Sequence, residues 1–178
     1  LYGDIMAGIV GLTELQHTNG TSAATINAGG VISQPTKPMF LAYGGSSNVS
    51  LPDDTWTKVS FSDEQYDIGG YYDPTSNYRY TPLVAGKYLI TARVFITYGS
   101  AATENIRIAI YKNGSTYTLY NDYGGSTQSY GSVQIVSLID MNGSSDYLEV
   151  YVRQNISNDA VYNASQSQGG EFSGFLVG

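Results

Sequence analysis

Four pairs of carboxylates are the side chains in this sequence that could most readily do chemistry. Glycoside hydrolysis requires two carboxyl groups at a suitable separation, so each pair is a candidate. Each pair also lies in or beside a predicted turn, where acidic residues commonly stabilise the backbone. We therefore interpret them as turn residues. The pairs are Asp53 with Asp54, Asp63 with Glu64, Asp67 with Asp73, and Asp140 with Asp146.

Loop carboxylates are also preferred ligands of Ca²⁺, so a calcium site is the one cofactor hypothesis that the sequence leaves open. Residues 140–143 read D-x-N-G, which is a fragment of a calcium-binding loop, but no complete EF-hand-like run is present. A plain turn is the preferred interpretation of this fragment. We predict no bound cofactor, with Ca²⁺ as the alternative.

Nucleophilic catalysis finds little support in the residue types present. The single histidine, His17, lies near the N-terminus, so a Ser-His-Asp triad would have to be assembled across a subunit interface. The chain has no cysteine, which excludes a thiol nucleophile and a zinc-thiolate site. We predict that the protein is not an enzyme.

The charge balance argues against nucleic-acid and membrane partners. The formal net charge is -7, and the eight Lys and Arg residues are spread thinly, so no basic stripe is available to neutralise phosphates. No apolar run approaches the roughly 20 residues needed to cross a bilayer. We predict no nucleic-acid binding and no membrane insertion.

Residues 1–35 differ in composition from the rest, and we assign them to a neck or stalk segment. Three glycines interrupt the first part, and each would cost a lone helix about 1 kcal/mol relative to Ala. Two alternatives stay open: a neck held together by copies of itself, and a flexible terminus. Since no Met begins the sequence, we expect further chain before it. A short heptad pattern would place Tyr2, Ile9 and Gln16 at a, with Ile5 and Leu12 at d.

Residues 36–178 follow a β pattern and form the predicted head domain. The run GKYLITARVFITYG alternates over a length too great for an edge strand, and both of its faces are largely apolar. It predicts a long central strand over residues 87–97. The run ENIRIAIYK alternates in the same way and leads into Asn113 and Gly114, a dipeptide favoured in two-residue hairpin turns because both positions tolerate positive φ.

Short strands with turn-forming sequences between them account for the remainder of this region. About ten strands at this spacing, with no helical stretch, predict an all-β fold: a ten-stranded jelly-roll sandwich. The turns between the strands are rich in Gly, Ser, Asn and Asp. Further strands are predicted at residues 38–43, 56–61, 78–83, 115–120, 132–139, 146–154 and 171–177.

A spaced set of aromatic, Asp and glycine residues leads into the long strand, and a second set closes the chain in the sequence EFSGFLVG. This arrangement resembles the trimeric jelly-roll heads of the complement component one subcomponent q and tumour necrosis factor family. Tyr80 comes one residue late, and Ile90 and Ala92 stand where the family prefers aromatics. The matching framework residues are Phe40, Phe61, Asp67, Tyr72, Tyr80, Gly86, Tyr88, Phe172, Gly174 and Phe175.

The resemblance covers roughly residues 38–178 and implies a homotrimer that buries the outer face of one sheet around a three-fold axis and caps a fibrous stalk. The sequence has no cysteine and no Gly-x-y repeat, and in this it resembles the heads of bacteriophage fibres more than the animal members of the family. The leading hypothesis is a non-enzymatic viral structural protein, the head of a bacteriophage fibre or spike at the virion surface, that binds a bacterial surface glycan or protein. The alternatives are a bacterial surface or spore-coat glycoprotein head and an extracellular trimeric lectin or ligand of the same fold.

Four of the 17 tyrosines surround the stretch NDYGGSTQSYG and match no motif of the family. Tyr is a large, stiff side chain that combines an apolar ring with a polar hydroxyl, so it suits interfaces and sugar-binding surfaces alike. We assign these four residues to loops and take them as the candidate recognition surface; ordinary loop tyrosines or subunit contacts are the alternative. They are Tyr117, Tyr120, Tyr123 and Tyr130.

Overall fold

A computed structural model describes residues 12–45, 48–97, 105–123, 130–155, 161–162 and 169–178. The chain divides into two compact units, residues Leu1–Lys37 and Pro38–Gly178. The described residues are all-β, and they contain no helix long and apolar enough to cross a membrane.

The smaller unit contains a three-stranded antiparallel sheet made of β1 (Glu14–Gln16), β2 (Ser22–Ile26) and β3 (Ile32–Ser33). Gln16, which the heptad pattern placed at an a position, lies in β1, so the pattern does not extend that far. The tight turn before β2 explains this, because Asn19 Oδ1 accepts a hydrogen bond from Thr21 N (2.9 Å) and Gly20 adopts φ +85°. Heptad positions 2, 5 and 9 lie outside the described residues.

The larger unit contains two antiparallel sheets. The first sheet is formed by five long strands in the order β13-β10-β16-β4-β7, and two short strands, β15 and β5, extend it beside the end of β10. Its strands are β4 (Met39–Tyr43), β5 (Val49–Ser50), β7 (Asp63–Ile68), β10 (Gly86–Thr97), β13 (Tyr130–Met141), β15 (Val161–Tyr162) and β16 (Gly170–Leu176).

The second sheet has the order β12-β11-β14-β9-β8, with the short strand β6 also paired to β14. The central strands β11 and β14 pair over seven residues each, so this part of the sheet is continuous and regular. Its strands are β6 (Thr57–Lys58), β8 (Tyr72–Asp73), β9 (Arg79–Tyr80), β11 (Asn105–Lys112), β12 (Ser115–Tyr123) and β14 (Leu148–Gln154).

The core lies between the two sheets, and β10 shows how the sequence directs side chains into it. Alternate residues of β10, among them Tyr88, Ile90 and Val94, are fully buried, while the residues between them are half-buried on the outer face. Ile108 of β11 and Val150 of β14 face these residues from the second sheet and are equally buried. The predicted long central strand and the all-β sandwich are both confirmed.

The hairpin between β11 and β12 is confirmed at the predicted dipeptide. Asn113 has φ 54° and Gly114 has φ 78°, so both turn residues adopt the left-handed conformation that the favoured two-residue turn requires. The strands that flank this turn pair from Lys112 with Ser115 onward. The local sequence therefore determines the register of this edge of the second sheet.

The strands differ from the prediction where the chain crosses between the sheets. The predicted strand at residues 56–61 shortens to β6, and the one at 78–83 shortens to β9. Tyr78 adopts a positive φ of 49°, and Pro82 has no N–H to donate, so neither residue can continue a regular ladder. Conversely, β7 was not predicted, because it is a mostly exposed edge strand with the polar sequence DEQYDI.

The Asn113 turn is tied to a second loop through a carboxylate. Asp146 Oδ1 accepts a hydrogen bond from Asn113 Nδ2 (2.8 Å), and Asp146 Oδ2 pairs with Lys112 Nζ (2.8 Å). The hydrogen bonds from Asn113 and Lys112 lower the pKa of Asp146 below its ordinary value. Folding therefore favours the ionised carboxylate.

We expect the substitution Asp146→Asn to destabilise the protein at neutral pH but not in acid. A carboxyl group whose pKa is lowered by folding contributes stability above its unfolded pKa of about 4, and this contribution is lost as the pH falls through the lower folded value. Denaturant unfolding of both proteins between neutral and strongly acidic pH measures the difference. Asp140→Asn, at a carboxylate whose side chain is 73% exposed, is the control. A pH-independent difference would contradict the prediction.

Candidate interaction surfaces

The outer face of the first sheet carries an apolar row that crosses five strands. Leu89 of β10 lies opposite Leu138 of β13 on one side and Phe175 of β16 on the other. The row continues through Met39 of β4 and Ile68 of β7. Leu138 is 53% exposed and Phe175 is 44% exposed. In a single copy of the chain this row is therefore open to water.

Charged pairs border the apolar row on the same face. Lys87 Nζ lies 3.5 Å from Asp140 Oδ1 at one end of β10, and Arg93 lies 3.7 Å from Glu171 further along it. Both pairs are substantially exposed, so they contribute little to the stability of a single copy. An apolar centre with a charged rim is the usual composition of a protein–protein interface.

On the other side of Arg93 from the apolar row, the outer face carries two aromatic side chains. The rings of Phe95 and Tyr130 stack with centroids 5.7 Å apart and planes 29° apart. Val136, opposite Thr91, is 55% exposed and adds a further apolar side chain to the face. The face therefore presents two apolar areas, one on each side of Arg93.

The four tyrosines proposed as a recognition surface lie in strands, so their assignment to loops is wrong. Tyr117, Tyr120 and Tyr123 lie in β12, because that strand stays paired with β11 through its last residue. Tyr130 begins β13 in the other sheet. Tyr117 and Tyr120 are exposed, whereas the side chain of Tyr123 lies outside the described part of the chain.

The framework aromatics meet in the core around Phe40. The ring of Phe40 stacks on Tyr80 with centroids 4.1 Å apart and on Tyr72 at 5.2 Å, and Phe172 packs edge-on at 4.8 Å. Burial raises the pKa of Tyr72 and of Tyr80, and it raises the pKa of Tyr88 to about 12. These tyrosines are therefore neutral framework residues at physiological pH.

The polar ends of the framework link consecutive segments. The Tyr72 hydroxyl donates a hydrogen bond to the backbone oxygen of Phe61 (2.8 Å), and the Tyr72 N–H donates to Asp67 Oδ2 (2.7 Å). Tyr88 donates its hydroxyl hydrogen to the backbone oxygen of Val84 (2.8 Å). Each bond fixes an irregular segment against a strand, which positions the crossing between the sheets.

Two framework glycines permit close packing, while the last framework aromatic faces outward. A Cβ at Gly174 would lie 2.4 Å from Ile90 Cδ1 and 3.0 Å from Phe40 Cε1, so a side chain there would displace the core. Gly86 adopts φ +150° at the start of β10. Phe175 does not enter the core but belongs to the apolar row.

Five of the eight carboxylates that suggested hydrolysis or metal binding hold turns or ion pairs. The backbone N–H groups of Ser76 and Thr75 hydrogen-bond to Asp73 and hold its pKa well below the usual value. In the stretch 140–143, Asn142 Oδ1 accepts backbone N–H bonds from residues 144–146, as in a plain turn. The ion pairs are Asp54 with Arg153, Asp140 with Lys87, and Asp146 with Lys112.

His17 and the metal hypothesis find no further support within the described residues. His17 lies between β1 and β2, where its ring Nδ1 accepts a hydrogen bond from Asn19 N (3.3 Å). Across the described ranges, no group of three or more His, Asp or Glu side chains is arranged to hold a metal ion.

The outer face of the second sheet carries an aromatic group that the sequence analysis missed. The rings of Tyr111 and Tyr151 stack with centroids 4.0 Å apart, and Trp56 meets Tyr111 at 6.2 Å. All three side chains are half-buried. Their sequence signal is only the alternation within IRIAIYK and EVYVRQ, and which strands pair had to be known before they could be placed together.

The sequence matches no protein-family model and no curated protein. Among solved structures, the chain is similar to murine APRIL at pH 5.0, with a TM-score of 0.58 and 12% identity over 79% of this chain and 99% of that one. It is also similar to PRD1 vertex protein P5, with a TM-score of 0.58 and 12% identity over 92% of this chain and 87% of that one. At these identities the similarity shows the fold alone, which is the predicted tumour necrosis factor-like jelly roll.

Proposed function

We propose that the chain is a non-enzymatic structural protein of a virus, the homotrimeric head of a bacteriophage fibre or spike at the virion surface. The observation that carries the proposal is the apolar row from Leu138 through Leu89 to Phe175, which a single copy leaves exposed. Burying this row requires a second surface of matching size. Further copies of the same chain are the simplest source of one.

Three copies follow from the resemblance of the framework residues to the family of trimeric heads. The row spans five strands, a width of about 19 Å at the usual strand spacing. It is bordered by Lys87 with Asp140 and by Arg93 with Glu171, so the same face supplies both an apolar centre and a polar rim. A ring of three copies buries one such face from each.

The viral class is supported by the fold shared with PRD1 vertex protein P5, which extends over 92% of this chain. The non-enzymatic character is supported by the carboxylates, because five of the eight proposed for hydrolysis serve ion pairs or turns. A trimer displayed outward would multiply a weak contact with a bacterial surface glycan or protein through avidity.

The fold shared with murine APRIL favours a second candidate, an extracellular trimeric ligand of the same architecture. The third candidate is a head of the same fold on a bacterial surface or spore coat. The first two candidates differ in the cells that the head contacts, so a binding assay on whole cells separates them.

We expect the fluorescently labelled protein to bind a few strains in a panel of bacteria with different surface polysaccharides. Binding to the same strains should weaken by about tenfold or more in a monomeric variant, because avidity is lost. Flow cytometry on the bacterial panel and on mammalian cell lines measures both. Binding to mammalian cells alone would favour the extracellular ligand, and binding to no cell type would remove the recognition role.

A further inference from the structure

The outer face of the second sheet combines an aromatic platform with an arginine that forms no ion pair among the described residues. The platform is the group Trp56, Tyr111 and Tyr151. Tyr111 and Tyr151 lie on the central strands β11 and β14, and their rings are 24° from parallel at 4.0 Å. A half-buried stack on paired strands is held in one orientation, so its apolar surface is available to a ligand at little entropic cost.

Two of the cations near the platform are ion-paired within the described part of the chain, and Arg107 is not. Lys58 pairs with Glu149 at 2.9 Å, and Arg153 pairs with Asp54 and also donates from Nε to the Asp54 backbone oxygen at 3.1 Å. Arg107, in contrast, forms no ion pair among the described residues, and its buried Nε has no hydrogen-bond partner there.

The position of Arg107 makes its charge, unpaired among the described residues, unfavourable when no ligand is bound. Arg107 lies directly opposite Arg153 in the pairing of β11 with β14. Like charges directly opposite each other in a sheet are destabilising, and a buried donor without an acceptor adds a desolvation cost. An anionic group bound beside Arg107 would offset the repulsion between the two arginines, and a carboxylate fits the planar guanidinium through two parallel hydrogen bonds.

The platform and Arg107 lie close enough for one ligand to contact both. Ala109 separates Arg107 from Tyr111 on β11 and lies opposite Tyr151. Arg107 and Tyr151 are thus diagonal neighbours, about 7–8 Å apart in an antiparallel pair. A pyranose ring with a carboxylate matches this spacing, because its apolar C–H face covers an aromatic ring while the carboxylate reaches the guanidinium.

We propose that this face of the second sheet binds an acidic saccharide, with a uronic acid ring on the Trp56, Tyr111 and Tyr151 platform and its carboxylate on Arg107. The formal net charge of -7 makes long-range attraction of an acidic polymer unfavourable, so recognition depends on this local contact. The inference rests on the proposed function only for the source of the ligand, a bacterial surface polysaccharide.

The test compares acidic with neutral oligosaccharides by isothermal titration calorimetry on the full chain. The acidic probes are three tetramers: β-1,4-linked glucuronate, galacturonate and mannuronate. Cellotetraose is the neutral counterpart of the glucuronate tetramer. We expect at least one acidic tetramer to bind about tenfold more tightly than cellotetraose. Equal affinity for the acidic and neutral tetramers, or binding of none of the acidic ones, overturns the proposal.

Single-residue variants distinguish binding at Arg107 from a general effect of the protein's charge. Arg107→Gln should weaken the binding of the acidic tetramer by about tenfold, and Arg107→Lys should restore it only in part, because Lys lacks the planar fork. The control is Arg79→Gln, at an arginine that lies 4.5 Å from the ring centre of Tyr147. An equal loss in both glutamine variants, or no loss in Arg107→Gln, also overturns the proposal. The molecular mass of each sample, measured alongside, reports the trimer independently of saccharide binding.

Discussion

We expect the substitution Leu138→Lys to convert the proposed trimer into a monomer at micromolar concentration. Leu138 lies on the outer face of β13, directly opposite Leu89, and forms the β13 end of the apolar row. Each of three copies would bring an ammonium group into a surface with no partner for it, and an unpaired buried charge costs several kcal/mol. We expect association to weaken by about a thousandfold or more, and sedimentation velocity measures it.

The matched control for this substitution is Leu119→Lys. Leu119 is 45% exposed against 53% for Leu138, and it also lies on a strand, β12, but in the other sheet. The same charge at a similar exposure should leave the trimer intact. If Leu138→Lys still sediments as a trimer, or if Leu119→Lys dissociates equally, the apolar row is not the assembly face.

The second large effect concerns two phenylalanines three residues apart on β16. Phe172 is fully buried, with its ring against Phe40, whereas Phe175 is 44% exposed on the apolar row. Truncation of a buried phenylalanine costs about 3–5 kcal/mol of the free energy of unfolding, because apolar contacts are lost and a cavity remains. We expect Phe172→Ala to lose this amount and Phe175→Ala to lose less than about 1 kcal/mol.

Both substitutions should be measured in the monomeric Leu138→Lys background, since association of the native state would otherwise raise the apparent stability. Urea unfolding gives the free energies. In the protein without Leu138→Lys, we expect Phe175→Ala to weaken association more than Phe172→Ala does, because it removes a side chain from the apolar row. Similar losses of stability for both substitutions would show that Phe175 packs in the core rather than at an interface.

Local patterns predicted the parts of the fold that depend on local geometry. The alternation in residues 87–97 predicted β10 and its buried face, because side chains of a strand alternate between its two sides. Asn113 and Gly114 predicted their hairpin, because only a few residue types adopt two consecutive positive φ angles at low cost. Neither feature needs knowledge of a distant partner.

The surfaces depend on which strands pair, and the sequence carries little information on that point. Tyr117 and Tyr130 are close in sequence, but they lie in different sheets. Conversely, Tyr111 and Tyr151 are 40 residues apart by their numbers, and their rings stack. The edge strand β7 was missed because its polar residues face solvent, which removes the apolar alternation that reveals a strand.

The most direct test of the central claim is the mass of the unmodified protein in solution by sedimentation equilibrium. The apolar row on the outer face of the first sheet predicts a single species of about three times the 19.2 kDa chain mass at micromolar concentration. A monomer of 19.2 kDa under the same conditions would contradict the account, because the row would then be exposed to water in the functional state.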